Sequence, residues 1–212
     1  MDEAQAGWEQ RYGERERIWS GRVNERLAEI AGALPAGRAL DLGCGEGADA
    51  VWLAERGWHV LACDISETAL QRATEDARAR GVADRIEFVH CDLSDSFPDG
   101  TFELVSAQFL HSTERLDRQP ILKRASRAVA PGGLLVIVDH AEAPPWAMRL
   151  GHDHVFPSAE EVVAGLELPV ADWDPLRVET AARDATGPDG RHTILRDNMI
   201  VLRRQGGPAR MS

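Results

Sequence analysis

Five short apolar segments alternating with helix-like stretches, then two long strand-like segments around a turn, predict an α/β protein. The expected architecture is a doubly wound, seven-stranded sheet, five parallel strands plus a C-terminal antiparallel hairpin, with helices on both faces. Three observations carry it: the strand–helix alternation from residue 38 onward, the glycine-punctuated turn after the first strand, and the closing hairpin. At 212 residues, 43% hydrophobic and 28% charged, the chain has the length and composition to bury one substantial core.

The elements follow in order. Residues 1–22 are charged but carry Trp8, Tyr12, Ile18 and Trp19, so they are expected to fold onto the rest. A helix is read from about Val23 to Leu34, stopped by Pro35 and Gly37. Strand one covers about 38–43, and a helix from Glu46 to Arg56 ends at Gly57. Strand two is Trp58 to Cys63. Ser66 caps a helix with Leu70, Ala73 and Ala77 on one face, closing near Gly81. Strand three is Ile86 to His90, and a polar turn leads to strand four, Thr101 to Ala107. A helix from about Arg118 to Ala130 meets Pro131-Gly132-Gly133, read as a sharp stop before strand five, Leu134 to Val138. Asp139 to Pro157 is a long connection of the kind that forms lids. Ser158-Ala159-Glu160-Glu161 reads as a capping box, and stretches at about 173–183 and 191–203 flank Gly187-Pro188-Asp189-Gly190 as a hairpin. One domain over 1–212 is expected: an arm and helix (1–34), a cofactor-binding core (36–140), a lid, short helix and hairpin (141–204), and a tail (205–212).

The net charge of −11, from 24 basic and 35 acidic residues, argues against a nucleic-acid substrate, although it leaves room for a local basic patch. No apolar run has the length of a membrane span and no leader pattern opens the chain, so a cytoplasmic protein, monomer or homodimer, is expected. Cys44, Cys63 and Cys91 form no CxxC pair and read as small fillers near strand ends.

The run Asp41-Leu42-Gly43-Cys44-Gly45-Glu46-Gly47 ends the first strand in alternating glycines and opens a helix, the layout of a nucleotide-type cradle. Asp41 puts a carboxylate beside that loop. It would repel a dinucleotide pyrophosphate but suits a cofactor head carrying an ammonium and a sulfonium, which points to S-adenosylmethionine (SAM) over NAD. In open α/β sheets ligands bind at the carboxyl ends of strands. Strand two ends in Cys63-Asp64-Ile65-Ser66, with Asp64 about twenty residues past the first glycine, the spacing for a ribose-binding acid. Strand three ends in Cys91-Asp92-Leu93, suited to an adenine amino group and ring face, and strand four in Ala107-Gln108-Phe109. Taken singly, Asp64 could cap a helix and Asp92 could start a turn. Trp52 and Trp58 read as core.

This ordered set resembles the class I SAM-dependent methyltransferases, which share a Rossmann-like sheet, over roughly residues 36–140. Asp41, Gly43, Gly45 and Gly47 match the first motif, which holds the methionine part. Asp64 matches the ribose-binding acid, and Asp92 with Leu93 the adenine contact. Glu103 stands where many members have Asp. The resemblance implies SAM as methyl donor, S-adenosylhomocysteine (SAH) as product, and a cofactor set that adds Cys44, Ile65, Ser66, Cys91, Ala107, Gln108 and Trp19. More loosely, Phe156-Pro157, the capped helix, Trp173 and the stretch from Arg183 to Arg204 are similar to the tellurite-resistance and thiopurine-methyltransferase-like enzymes, which act on small nucleophiles. The acceptor is then a small molecule: a thiol, a chalcogen oxyanion, or a small O or N nucleophile.

A thiolate acceptor needs no base, whereas a hydroxyl usually does, and histidine suits that task near neutral pH. His111, after strand four, and His140, after strand five, are the catalytic candidates. Arg22, Trp146 and Arg183 are candidate acceptor contacts, with Trp19 and Arg22 covering the site. His192 and Arg196 join Arg183 as candidates for an anionic acceptor. His152 and His154 could approach His140 or His111 as metal ligands, but their spacing matches no motif and no metal is assigned. The alternatives are an NAD-type oxidoreductase and a non-catalytic SAM-binding module.

Overall fold

The computed structural model describes residues 2–112, 114–145, 156–187 and 190–206. The sheet has seven strands: β1 (Arg38–Leu42), β2 (His59–Asp64), β3 (Ile86–His90), β4 (Phe102–Gln108), β5 (Val129–His140), β6 (Trp173–Thr186) and β7 (His192–Arg204). Their order is β3-β2-β1-β4-β5-β7-β6. The first five are parallel, and β7 enters antiparallel between β5 and β6. The expected doubly wound sheet with its terminal hairpin is therefore what forms. The strand order reverses at β1/β4, placing the ligand crevice over the carboxyl ends of these two strands.

Helices α1 (Glu3–Gly13), α2 (Glu25–Ala31), α3 (Ala48–Glu55), α4 (Glu67–Ala79), α5 (Arg118–Ala128) and α6 (Ala159–Leu166) cover the sheet. Side-chain oxygens start four of them: Asp2 for α1, Asn24 for α2, Ser66 for α4, and the reciprocal Ser158–Glu161 box for α6. Buried residues alternate along the strands between two cores. Leu40, Leu42, Val105, Leu135 and Ile137 meet α5 and α6 on one face, while Ala39, Val60, Leu104, Leu134 and Val136 meet α2 and α3 on the other. Trp58 is fully buried in the second, as expected. Arg26 donates to the Ala182 carbonyl at 2.7 Å and Arg177 pairs with Glu29 at 2.7 Å, fastening α2 to the hairpin.

Two expectations are corrected. Pro131-Gly132-Gly133 does not precede strand five; β5 already begins at Val129 and passes through the triplet with a register shift against Phe102 and Leu104. A Cβ at Gly133 would lie 2.9 Å from the Glu103 carbonyl oxygen and 3.0 Å from that of Phe102, so its glycine lets two backbones touch rather than ending a strand. The charged N-terminal stretch, read without an element, forms α1.

Candidate functional site

Gly43, Gly45 and Gly47 have φ of 69°, 53° and 78°, the left-handed region that glycine alone adopts without strain. The loop hangs from β2, because the amides of Gly43 and Cys44 both donate to the Cys63 carbonyl, at 2.9 and 3.0 Å. Space is also tight: a Cβ at Gly47 would stand 2.6 Å from that of Ala73 on α4, and one at Gly43 would stand 2.7 Å from Leu110 Cδ1. Leu110 links the loop directly to the segment after β4.

Three carboxylates surround this loop. Asp64 accepts the Gly45 amide at 2.8 Å through Oδ2 and the Ser66 amide at 2.9 Å through Oδ1, and burial nevertheless raises its pKa. Asp41 is 2% exposed, and its Oδ2 has no hydrogen-bond partner. Burial, with Asp49 and Asp64 nearby, pushes its carboxyl well above the usual range. Asp49 accepts the Asn24 amide at 2.7 Å, and burial lifts its pKa to about 6. An orphaned carboxylate oxygen and clustered acids describe a place for positive charge, which fits the ammonium and sulfonium of SAM and opposes a pyrophosphate. The Cys44 thiol is pushed up by burial, so it stays neutral.

The N-terminal arm lies across this cradle. In α1, Gln5 Nε2 approaches His90 Nε2 at 3.1 Å, Trp8 Nε1 donates to Ser112 Oγ at 3.0 Å, and Glu9 accepts from the Thr68 hydroxyl at 2.5 Å. The helix thus runs from the end of β3 to the segment after β4. Trp19 Nε1 donates to the Tyr12 hydroxyl at 3.0 Å, and both groups press on Gly45, whose added Cβ would meet them at 3.1 and 3.0 Å. Glu46 is the knot. Buried inside the loop, it accepts the Ile18 and Trp19 amides at 3.3 and 3.0 Å and the Arg72 guanidinium at 2.9 Å. Arg72 in turn donates to the carbonyls of Tyr12 and Arg15. The sequence reading missed Glu46 and Arg72, because no short-range spacing links residues that meet only when the arm folds back.

Along the other strand ends, Cys91 and Leu93 are buried, with the Cys91 sulfur 3.1 Å from Ser96 Oγ. Asp92 accepts the Ser94 amide through its side chain and the Asp95 and Ser96 amides through its carbonyl, so it does shape a turn. The Ile65 carbonyl lies 2.8 Å from His90 Nε2. Ala107 is fully buried in the α5-side core, so its side chain packs rather than facing the crevice. Gln108 donates to Ser106 Oγ at 3.0 Å, leaving its own buried Oε1 unpartnered.

Beyond Gln108 the chain bends at Phe109, a non-glycine residue at φ 50°, and delivers His111. His111 Nε2 lies 3.4 Å from Oδ1 of buried Asp139, an approach without hydrogen-bond geometry, and the other Asp139 oxygen is held by Arg118. His140 Nδ1 lies 3.4 Å from Oδ1 of Asp197, its cross-strand partner, whose Oδ2 accepts Arg183 Nε at 2.5 Å. Although burial opposes it, the nearby His140 and the bonded Arg183 hold Asp197 below the usual carboxylate range. The two imidazoles stack, centroids 6.0 Å apart and planes 9° from parallel. Phe109 packs 4.4 Å from His140, and Phe156 lies edge-on to His111 at 6.3 Å.

The sequence candidates thus separate. His111 and His140 come together. Arg183 reaches the same place, but its guanidinium is bound to Asp197 and lies over the Phe109 ring, so it supports His140 instead of standing free for an anion. Arg22 is exposed and lines a hollow with Ala48, Val51 and Trp52 of α3, Asp76 of α4 and Arg80 just after it. His192 and Arg196 are exposed on the hairpin. Trp146, His152 and His154 lie outside the described residues. Among the described residues, the histidine pair forms no metal-binding group; the one such cluster is acidic, Asp2, Asp92 and Asp95. Asp139, Asp197 and Arg118 were not singled out from sequence, since an acid inside or opposite a strand end carries no motif.

Comparison with known proteins agrees with this geometry. Residues 39–133 match the family model described as "Methyltransferase domain". The chain is 33% identical over 140 residues to a demethylmenaquinone methyltransferase of Clavibacter sepedonicus, covering 65% of this chain and 54% of that protein. It is 34% identical over 105 residues to a tRNA 5-carboxymethoxyuridine methyltransferase of Escherichia coli, covering 48% of this chain and 39% of the other. The chain thus spans about half the length of such relatives, or less. TehB from Haemophilus influenzae superposes with a TM-score of 0.68 at 18% identity, covering 93% of this chain and 66% of that one, a likeness of fold. Among the described residues no helix is long and apolar enough to cross a membrane.

Proposed function

The chain belongs to the class I SAM-dependent methyltransferases, and from that premise we propose that it methylates a hydroxyl of a small-molecule acceptor. The family excludes the NAD reading. The observation that carries the hydroxyl assignment is His111 beside buried Asp139, on the segment whose Leu110 touches the glycine loop. A thiolate or an oxyanion would need no such pair. The net charge of −11 supports a small acceptor over a nucleic acid.

Asp41 and the glycine-loop backbone would hold the methionine part of SAM, Asp64 the ribose, and Asp92 with Leu93 the adenine. When bound, SAM supplies a methyl group made electrophilic by its sulfonium. Asp139 faces His111 Nε2, which keeps the proton there and leaves Nδ1 basic. His111 Nδ1 takes the acceptor's O–H proton as the oxygen–methyl bond forms and the sulfur–methyl bond breaks, its electron pair returning to sulfur. Asp139 stabilises the imidazolium, while Arg118 fixes Asp139. The α1 arm covers the crevice and keeps water out. We read residues 1–212 as one catalytic unit.

The test is SAH production from SAM over a panel of phenols, alcohols, thiols, amines and chalcogen oxyanions. Turnover is expected with hydroxyl acceptors, and His111→Gln should lower kcat by roughly 10²–10⁴-fold. Turnover confined to thiols, amines or oxyanions, or insensitive to His111→Gln, would overturn the assignment. Tight SAM binding without turnover on any acceptor would favour a binding module.

A further inference from the structure

One methyl transfer to one hydroxyl uses one base, yet the site holds two histidines in matching surroundings. Each turns one nitrogen toward a buried carboxylate at 3.4 Å, and each carboxylate is also bound by an arginine. The two sets share only β5, where Asp139 and His140 are neighbours; the rest of the second comes from other strands, Asp197 from β7 and Arg183 from β6. Asp197 is completely buried. Burying such a pair costs desolvation energy that an apolar contact would avoid, so stapling the hairpin to β5 is a weak reason for it. The ladder already joins those strands from Leu134 to His140.

Neither 3.4 Å approach has hydrogen-bond geometry, yet a carboxylate favours a proton on the ring nitrogen that faces it, and this biases the tautomers. With Nε2 of His111 and Nδ1 of His140 turned to acids, the nitrogens left for a ligand are Nδ1 and Nε2, both hydrogen-bond acceptors in the neutral ring. Two acceptors ask for two donors on the ligand. The surroundings narrow its frame further. The imidazoles are nearly parallel, and Phe109 and Phe156 flank them, which favours a flat ring. Among the described residues here, both arginines are bound to carboxylates, so an anionic substituent meets no free cation.

Resting on the proposed hydroxyl methylation, we infer that the acceptor is a dihydroxyarene, with one hydroxyl on His111 for methylation and the second held by His140. His140 is then a positioning residue that acts by binding. Asp197 and Arg183 fix its ring and tautomer.

Binding and turnover test this separately. Catechol, resorcinol, hydroquinone, phenol and anisole are titrated by calorimetry into the full-length protein saturated with SAH. At least one benzenediol is expected to bind tenfold or more tightly than phenol, and phenol more tightly than anisole. In His140→Phe the ratio of benzenediol to phenol affinity should fall toward one, each variant supplying its own internal standard. A wild-type protein that binds phenol as well as every benzenediol overturns the inference, whether or not the variant folds. So does a ratio unchanged by His140→Phe. If the benzenediols bind preferentially but no hydroxyl acceptor is turned over, the function assignment fails and the two-donor site stands.

Discussion

The amide of Gly45 donates to Asp64 Oδ2 at 2.8 Å, so the glycine loop and the acid at the end of β2 hold each other in place. Asp64 fixes the loop, and on the proposed function it would also offer its carboxylate to a ribose diol. Asp64→Ala should weaken SAH binding by about 1–3 kcal/mol, through loss of charge-assisted hydrogen bonds. Calorimetric titration checks it, and an unchanged affinity would reject the ribose assignment.

The arm's Ile18-Trp19 turn hangs on one buried carboxylate, that of Glu46. Glu46→Ala removes the acceptor for the Ile18 and Trp19 amides and leaves Arg72 with only the Tyr12 and Arg15 carbonyls. Because the arm can swing into water, the expected effect is local: residues 15–20 should gain fast amide exchange while β1 and β4 remain protected. A loss of stability of about 1–3 kcal/mol accompanies it. Uniform exchange across the sheet would show instead that Glu46 supports the whole fold.

Asp49 makes a stability prediction with an unusual sign. Burial raises its pKa from 3.8 to about 6, so the folded state binds its proton more tightly than the unfolded chain. This group's contribution is fully present below about pH 4 and is lost as pH rises through about 6. Asp49→Asn keeps an oxygen for the Asn24 amide and removes the charge. It should raise the urea midpoint at neutral pH, by up to about 2 kcal/mol of stability, and flatten the pH dependence between 4 and 6. A variant less stable than wild type at neutral pH would mean that the charged hydrogen bond outweighs desolvation.

What could be read from sequence divides along the range of the interactions. β3 is read with the ends it has in the structure, and the Ser66 cap and Ser158–Glu161 box appear where expected, because periodicity and capping are written within a few residues. The glycine loop, Asp64 and Asp92 were legible as strand-end residues in a fixed order. Asp139 and Asp197 were not. Each gains its meaning from a partner on another element, Arg118 on α5 or Arg183 on β6, and nothing local marks it. The same reasoning explains Arg183, whose partner turns an apparent anion ligand into support for His140. Pro131-Gly132-Gly133 looked like a stop because turn residues usually are, but β4's close approach makes it a bulge.

Asp41 gives the most direct test of the cofactor's charge. Its Oδ2 is buried without a partner, and burial with Asp49 and Asp64 nearby raises its pKa well above the usual range. A cation placed beside it favours the ionised form and lowers that pKa again. Binding therefore releases a proton wherever the free protein carries one, and affinity should rise with pH until Asp41 is ionised in the free protein as well. Both SAM and SAH bring an ammonium, but only SAM adds a sulfonium, so the rise should be at least as steep for SAM. Calorimetry in buffers of different ionisation enthalpy reads the proton release directly. Asp41→Asn should weaken both ligands and reduce the proton release. Affinity and proton count that are flat across the neutral range in the wild-type protein would mean that the ligand's cations lie elsewhere, leaving Asp41 a buried acid of the first strand.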